Sequence, residues 1–153
     1  MKTKVRVAGG QGFWGDLLTA PIEQVRRGQI DYLMLDYLAE VTMSILQKQR
    51  ARNPQMGYAR DFVELMREIL PDIVEKNIKV MANAGGVNVR GCAEAVKKTV
   101  EELGLKVKIG IIEGDDIMPK LDEWMANGVE FINMDTGESL ESIRDKVQSA
   151  NVY

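Results

Sequence analysis

The 153-residue chain contains no histidine. That absence removes imidazole general bases, histidine-ligated zinc and Ser–His nucleophile pairs. Its one cysteine, Cys92, excludes an intramolecular disulfide and a cysteine-based zinc site. Acid–base chemistry is therefore left to carboxylates, lysine, tyrosine or that single thiol. No run approaches the roughly 20 apolar residues that a membrane helix needs. The N-terminus, "MKTKVRVAGG", turns into a strand at once and has no apolar signal region. The expected location is the cytoplasm, with no membrane partner. A basic excess is also missing: 20 basic residues face 23 acidic ones, for a net charge of −3. That balance argues against a nucleic-acid partner. The short basic cluster "QKQRARN" reads as a solvated helix end.

What is present is an alternation of strand-like and helix-like segments. Strands are expected at 5–8, 30–36, 78–83, 107–113 and 129–135. Helices are expected at 20–27, 39–50, 60–75, 89–103, 118–126 and 140–148. Thr19 suits an N-cap, Pro21 a first turn and Gly28 a stop. Phe62, Leu65, Met66, Ile69, Ile73 and Val74 recur at helical spacing, and Pro71 should kink or restart that helix. Gly104 suits the C-cap of the 89–103 helix. The near-continuous apolar run "IDYLMLD" suits a strand buried on both faces. The expectation is one α/β domain, a Rossmann-like three-layer open sheet of about five parallel strands with helices on both faces. A partial barrel is the alternative, because strand order is not written in the period.

"GGQGFWGD" spells G-x-G-x-x-G with Gly10, Gly12 and Gly15, and Asp36 follows at the end of the second strand. This pattern is that of a dinucleotide site for NAD or FAD. In such a site the helix must begin inside the motif, where its free N–H groups meet the pyrophosphate. A helix begun near Gly12 would carry Pro21 in its interior, at a cost of about 3 kcal/mol. The preferred reading is a long Gly-rich loop before a helix near Thr19. Phe13 and Trp14 are then an apolar wall or lid, or a plug for the end of the sheet.

All five expected strand ends carry Gly, Asn or acids, and ligands of parallel α/β folds sit at that carboxyl edge. Asp36, Glu113 and Asp135 stand closest to strand termini and are the candidate catalytic carboxylates. Asp116 and Glu138 read as helix-capping or first-turn residues. If the ends converge, the carboxylates suit a general base, or Mg²⁺ or another hard cation; whether any cofactor is used is left open. The binding candidates are Gly10, Gly12 and Asp16 on the first loop and Asn83, Gly85, Gly86 and Asn88 in "NAGGVN". Backbone N–H groups at Gly85–Gly86 suit a carboxylate, phosphate or thioester oxygen. Asn88 can also cap the following helix. Cys92, on that helix's first turn, is either a reactive thiol or a small core residue.

The segments "GGQGFWGD", "IDYLMLDYLAEVTM", "VMANAGGVNVRGCAEAV", "IIEGDDI" and "INMDTGESLESIRDKVQSANVY" occur in this order. In them the chain resembles the N-terminal part of the acyclic terpene utilisation protein A family over nearly its whole length. Val89 stands where the family often has proline. The resemblance implies bacterial catabolism of acyclic terpenes such as citronellol and geraniol through acyl-CoA intermediates. It also implies a longer protein, in which a C-terminal part or a partner subunit completes the sheet and site. The expected substrate is a small acyl or carboxylate molecule, the expected reaction a hydration, lyase or isomerase step, and the expected state an oligomer. The alternative is a non-catalytic binding or assembly subunit.

Overall fold

A computed structural model describes residues 3–152. The chain divides into two compact units, residues 1–111 and 112–153.

The first unit holds strands β1 (Val7–Gln11), β2 (Tyr32–Leu35) and β3 (Lys79–Ala82) and helices α1 (Thr19–Arg27), α2 (Glu40–Arg52), α3 (Arg60–Lys76) and α4 (Val89–Glu102). The strands form a parallel sheet in the order β1-β2-β3. The open parallel α/β sheet agrees with the sequence reading, and the number of strands does not. Residues 107–113 and 129–135 carry a strand pattern but belong to no strand, and Ile132 makes only an isolated bridge to Ser139. A strand is completed by a neighbour's hydrogen bonds, and the local period does not supply those.

Alternation along the strands decides which face is covered. Leu33 and Leu35 are buried with Ala8 and Val80 packed beside them, whereas Met34 and Met81 on the opposite face are 41% and 44% exposed. The covered face meets Val25 of α1, Leu65, Ile69 and Leu70 of α3, and Val96 and Val100 of α4. All three helices therefore pack on one side, and the sheet is two-layered. The expectation of burial on both faces is corrected here: strand order is sequential and the crossovers return to one side, so no topological switch point exists. The arrangement is singly wound, as in a barrel segment, and it stays open at β1 and β3.

Local chemistry explains the helix limits. Pro21 sits in the first turn of α1, where a missing N–H costs nothing. Lys76 Nζ reaches the carbonyls of Val25 and Arg26 at 2.8 and 2.7 Å, so a cation from α3 closes the C-terminus of α1. α3 does not restart at Pro71: it continues through the proline, and its Leu65–Ile73 stripe is buried on both sides of it. It ends at Asn77 in the left-handed region, φ +55°, with the Ile78 N–H returning to the Ile73 carbonyl at 3.0 Å. Gly104, φ +64°, stops α4 in the same way, as expected.

The second unit contains a 3₁₀ turn (Met118–Lys120), helix α5 (Leu121–Ala126) and a 3₁₀ segment (Leu140–Lys146) in place of the last expected helix. Trp124 stacks on Phe131 at 6.5 Å, and Arg144 grips Asp122 through two bonds of 2.6 and 2.8 Å. Its two ends are joined by Ile117 N–H to the Ala150 carbonyl and Val152 N–H to the Asp115 carbonyl, at 2.9 and 2.8 Å.

Candidate functional site

The carboxyl edge of the three strands brings Gln11–Asp16, Asp36–Tyr37 and the 83–88 loop together. Its centre is Asn83. The Asn83 Nδ2 donates to Asp36 Oδ1 at 2.7 Å, and its Oδ1 accepts the Tyr37 N–H at 2.7 Å. Leu38 N–H adds a second bond to Asp36 Oδ1 at 3.2 Å, and the Asp36 N–H donates to the Gln11 carbonyl at 3.2 Å. One carboxylate oxygen is thus fixed by two donors, and the exposed side chain keeps Oδ2 for solvent or ligand.

Beneath this pair lies a polar floor that the sequence reading missed. Tyr37 is fully buried, with its ring edge-on to Phe62 at 5.8 Å. Among the described residues, neither its hydroxyl oxygen nor the buried Gln11 Oε1 has a hydrogen-bond partner. Burial first, then the neighbouring Asp61 and Cys92, push the Tyr37 phenol above its ordinary range. A polar Gln11 closing an apolar strand, opposite a tyrosine after the next strand, is the signal that would have found them.

The first loop is held by its own groups. Asp16 Oδ2 accepts the Gly12 N–H at 3.1 Å and Oδ1 the Leu17 N–H at 2.7 Å. Both oxygens therefore shape the loop. Trp14 is pinned by Nε1–H to Asp61 Oδ1 at 2.9 Å and packs on the core, whereas Phe13 is exposed. Trp14 plugs the sheet end and Phe13 remains available as a wall. Gly10 sits at a register shift between β1 and β2, and a Cβ there would lie 2.8 Å from Leu35, 2.9 Å from Leu33 and 2.9 Å from Pro21. Its lack of a side chain is required by packing. With α1 beginning at Thr19, well beyond Gly15, the geometry is not that of a dinucleotide turn.

The 83–88 loop corrects the expected oxyanion cradle. Gly86 N–H is taken by the Asn83 carbonyl, Val87 N–H by the Gly57 carbonyl and Asn88 N–H by the Gly85 carbonyl, at 3.2, 3.0 and 2.9 Å. Gly85 and Gly86 therefore do not offer a free pair of donors. Asn88 caps α4 by accepting the Gly91 N–H at 3.1 Å, and its Nδ2 donates to the carbonyls of Pro54 and Met56. Arg50 also donates to the Val87 carbonyl. This is a stapled turn that presents Asn83. Cys92 is buried among apolar groups, and its thiol is pushed up to about 12, so the core reading holds and the reactive one does not.

Glu113 and Asp135 belong to the second unit, and neither ends a strand. Asp135 lies in a turn organised by Asn133 Oδ1, which accepts its N–H at 2.8 Å. Asp116 Oδ1 accepts the Met118 N–H at 3.0 Å, just before the 3₁₀ turn whose N-cap position is Ile117. Among the described residues no group of three or more potential metal ligands comes together. Asp36 faces an amide, not a second carboxylate, so the donor set at this edge does not fit a Mg²⁺ cage. Nor is any described helix long and apolar enough to cross a membrane.

A singly wound, parallel α/β domain with one oriented carboxylate at its strand ends is the class that fold and site define. The sequence profile of the family described as acyclic terpene utilisation family protein AtuA matches residues 5–153. The chain belongs to that family. Comparison with curated proteins and with solved structures finds no match.

Proposed function

We propose that this chain is a cytoplasmic catabolic enzyme domain acting on a branched acyl-CoA or related carboxylic acid. The reaction class is a hydration, lyase or isomerase step, in which a proton moves at carbon. Asp36 moves the proton and Asn83 holds its carboxylate in register. The observation that carries this reading is the Asp36–Asn83 bond of 2.7 Å at the carboxyl edge. A fixed, solvent-facing carboxylate is what general acid–base chemistry without histidine requires, and such a group contributes about 10²–10⁴ in rate. The branched acyl substrate is our reading of the family's description, acyclic terpene utilisation. Glu113 and Asp135 receive no step in this mechanism.

The test is turnover of a panel of branched acyl-CoA thioesters and their free acids by the chain in its native assembly. Asp36→Asn is expected to lower kcat about 100-fold or more with folding intact. Turnover unchanged in both Asp36→Asn and Asn83→Ala would sink the assignment.

A second reading, an assembly subunit that works with a partner chain, is favoured by one specific observation. Among the described residues no strand lies beside the outer edge of β3.

A further inference from the structure

Among the described residues β3 pairs with β2 alone, in the register Tyr32↔Lys79 to Leu35↔Ala82. Backbone groups of a sheet strand that point away from its single neighbour are left without ladder partners. The chain then passes through α4 and returns as residues 106–111, "KVKIGI". This segment has the apolar content of a strand, and Leu105 and Val107 pack on the same core as Val80. Among the described residues it makes no backbone hydrogen bond to β3 or to any other segment. Adjacent strands stand about 4.8 Å apart and are joined by a ladder. Here no ladder joins β3 and residues 107–111, and both line one cavity of about 700 Å³. One wall is β3 from Lys79 to Ala82, the other is Val107 to Ile111, and the floor includes Phe62, Met66 and Val96 of α3 and α4. Two unpaired backbone edges thus face one apolar-floored gap.

The charges on its walls are of one sign. Lys79, Lys106 and Lys108 line the gap, and among the described residues no acidic one does. Lys106 and Lys108 have no ion pair among the described residues, and Lys79 rests over the Tyr32 ring at 5.4 Å. Lys79 opens β3, and Lys106 and Lys108 stand early in the returning segment, so the cations gather toward the amino edge of the sheet.

We propose that this gap is a slot for one extended strand of a partner polypeptide. That strand is apolar on alternate residues and carries acidic residues at the end that meets the lysines. It pairs with β3 on one side and residues 107–111 on the other, and its inward side chains fill the cavity over α3 and α4. Electrostatic complementarity with the lysines sets its direction. The inference rests on the assembly reading, and it is independent of the chemistry assigned to Asp36.

The test uses the full chain and a seven-residue peptide of alternating valine and threonine with acidic ends. The controls are the same peptide with lysine ends and one N-methylated at alternate amides. Binding is read by calorimetry, and amide exchange is followed at 80–82 and 107–111. The acid-ended peptide is expected to slow exchange at both segments at least tenfold. Both controls should bind at least tenfold more weakly, and the double variant Lys106→Glu, Lys108→Glu should invert the preference for peptide ends. Four results would overturn the proposal: no binding at millimolar peptide, protection of neither or only one segment, equal binding of all three peptides, or protection of both segments already in the free chain. Occupation by a second copy would give that last result together with a dimer. A small apolar anion that fills the cavity without protecting either edge would overturn it too. Loss of turnover in Asp36→Asn moves none of these readouts, so this proposal and the catalytic one fail separately.

Discussion

Substituting Gly10 by alanine separates the packing account of the first loop from a ligand-binding one. A Cβ at Gly10 would stand 2.8–2.9 Å from Leu35 Cδ2, Leu33 Cδ1 and Pro21 Cβ. The leucine methyls can yield, but Pro21 belongs to a ring in the first turn of α1 and cannot rotate away. One added methyl in a filled core costs about 1–3 kcal/mol. Nothing in the backbone conformation of Gly10 adds to this, since it is not among the glycines at positive φ. Gly12 is the internal control: its Cβ would approach only Asp16 Oδ2, at 3.9 Å. Urea unfolding followed by Trp14 fluorescence in a Trp124→Phe background, with Trp14 pinned to Asp61 of α3, reads both variants. Gly10→Ala is expected to lose about 1–3 kcal/mol and Gly12→Ala less than about 0.5 kcal/mol. Equal stability of the two, with impaired ligand binding in both, would refute the packing account.

Four further outcomes concern the polar floor, the Asn83 clasp and the Cys92 thiol. Tyr37→Phe removes a buried hydroxyl that has no partner, so it should raise stability by about 1–3 kcal/mol in urea titration; a loss would show that the hydroxyl is satisfied in solution. Asn83→Ala leaves Tyr37 N–H and Asp36 without their clasp and should cost about 1–3 kcal/mol, with faster amide exchange at Tyr37 as the check. Cys92, its thiol raised from 9.0 to about 12, should react with a thiol reagent at pH 8 about 10³-fold more slowly in the native chain than in urea. The linkage has a definite sign, because the native state holds its proton to higher pH than the unfolded state. This stabilisation is whole below pH 9 and is lost as pH rises from 9 through about 12. Cys92→Ala should flatten that alkaline loss, and an unchanged pH profile would contradict it.

The order of elements up to Gly104 was legible because each boundary has a local cause: Pro21 opening α1, the Leu65–Ile73 stripe of α3, Gly104 closing α4. What was not legible depends on neighbours. "VKIGIIE" and "VEFINMD" have the strand period, yet 107–111 faces a gap and Ile132 makes one isolated bridge. "IDYLMLD" is apolar almost throughout, which hid that Met34 lies on an uncovered face. The site divides in the same manner. Asp36 was readable from its place at a strand end. Its clasp by Asn83, 47 positions away, was not, nor was the engagement of Gly86 N–H within its own turn. Asp16 was a ligand-contact candidate because its loop follows the first strand's carboxyl end; here its oxygens receive the loop's own amides.

The central claim, that Asp36 moves a proton at carbon, is tested most directly by deuterium wash-in. A branched acyl-CoA substrate is incubated in D₂O with the native assembly and with Asp36→Asn, and exchange at carbon is followed by NMR. The account predicts exchange with the native protein and a rate lowered about 100-fold or more in the variant. Equal exchange in the two would contradict it.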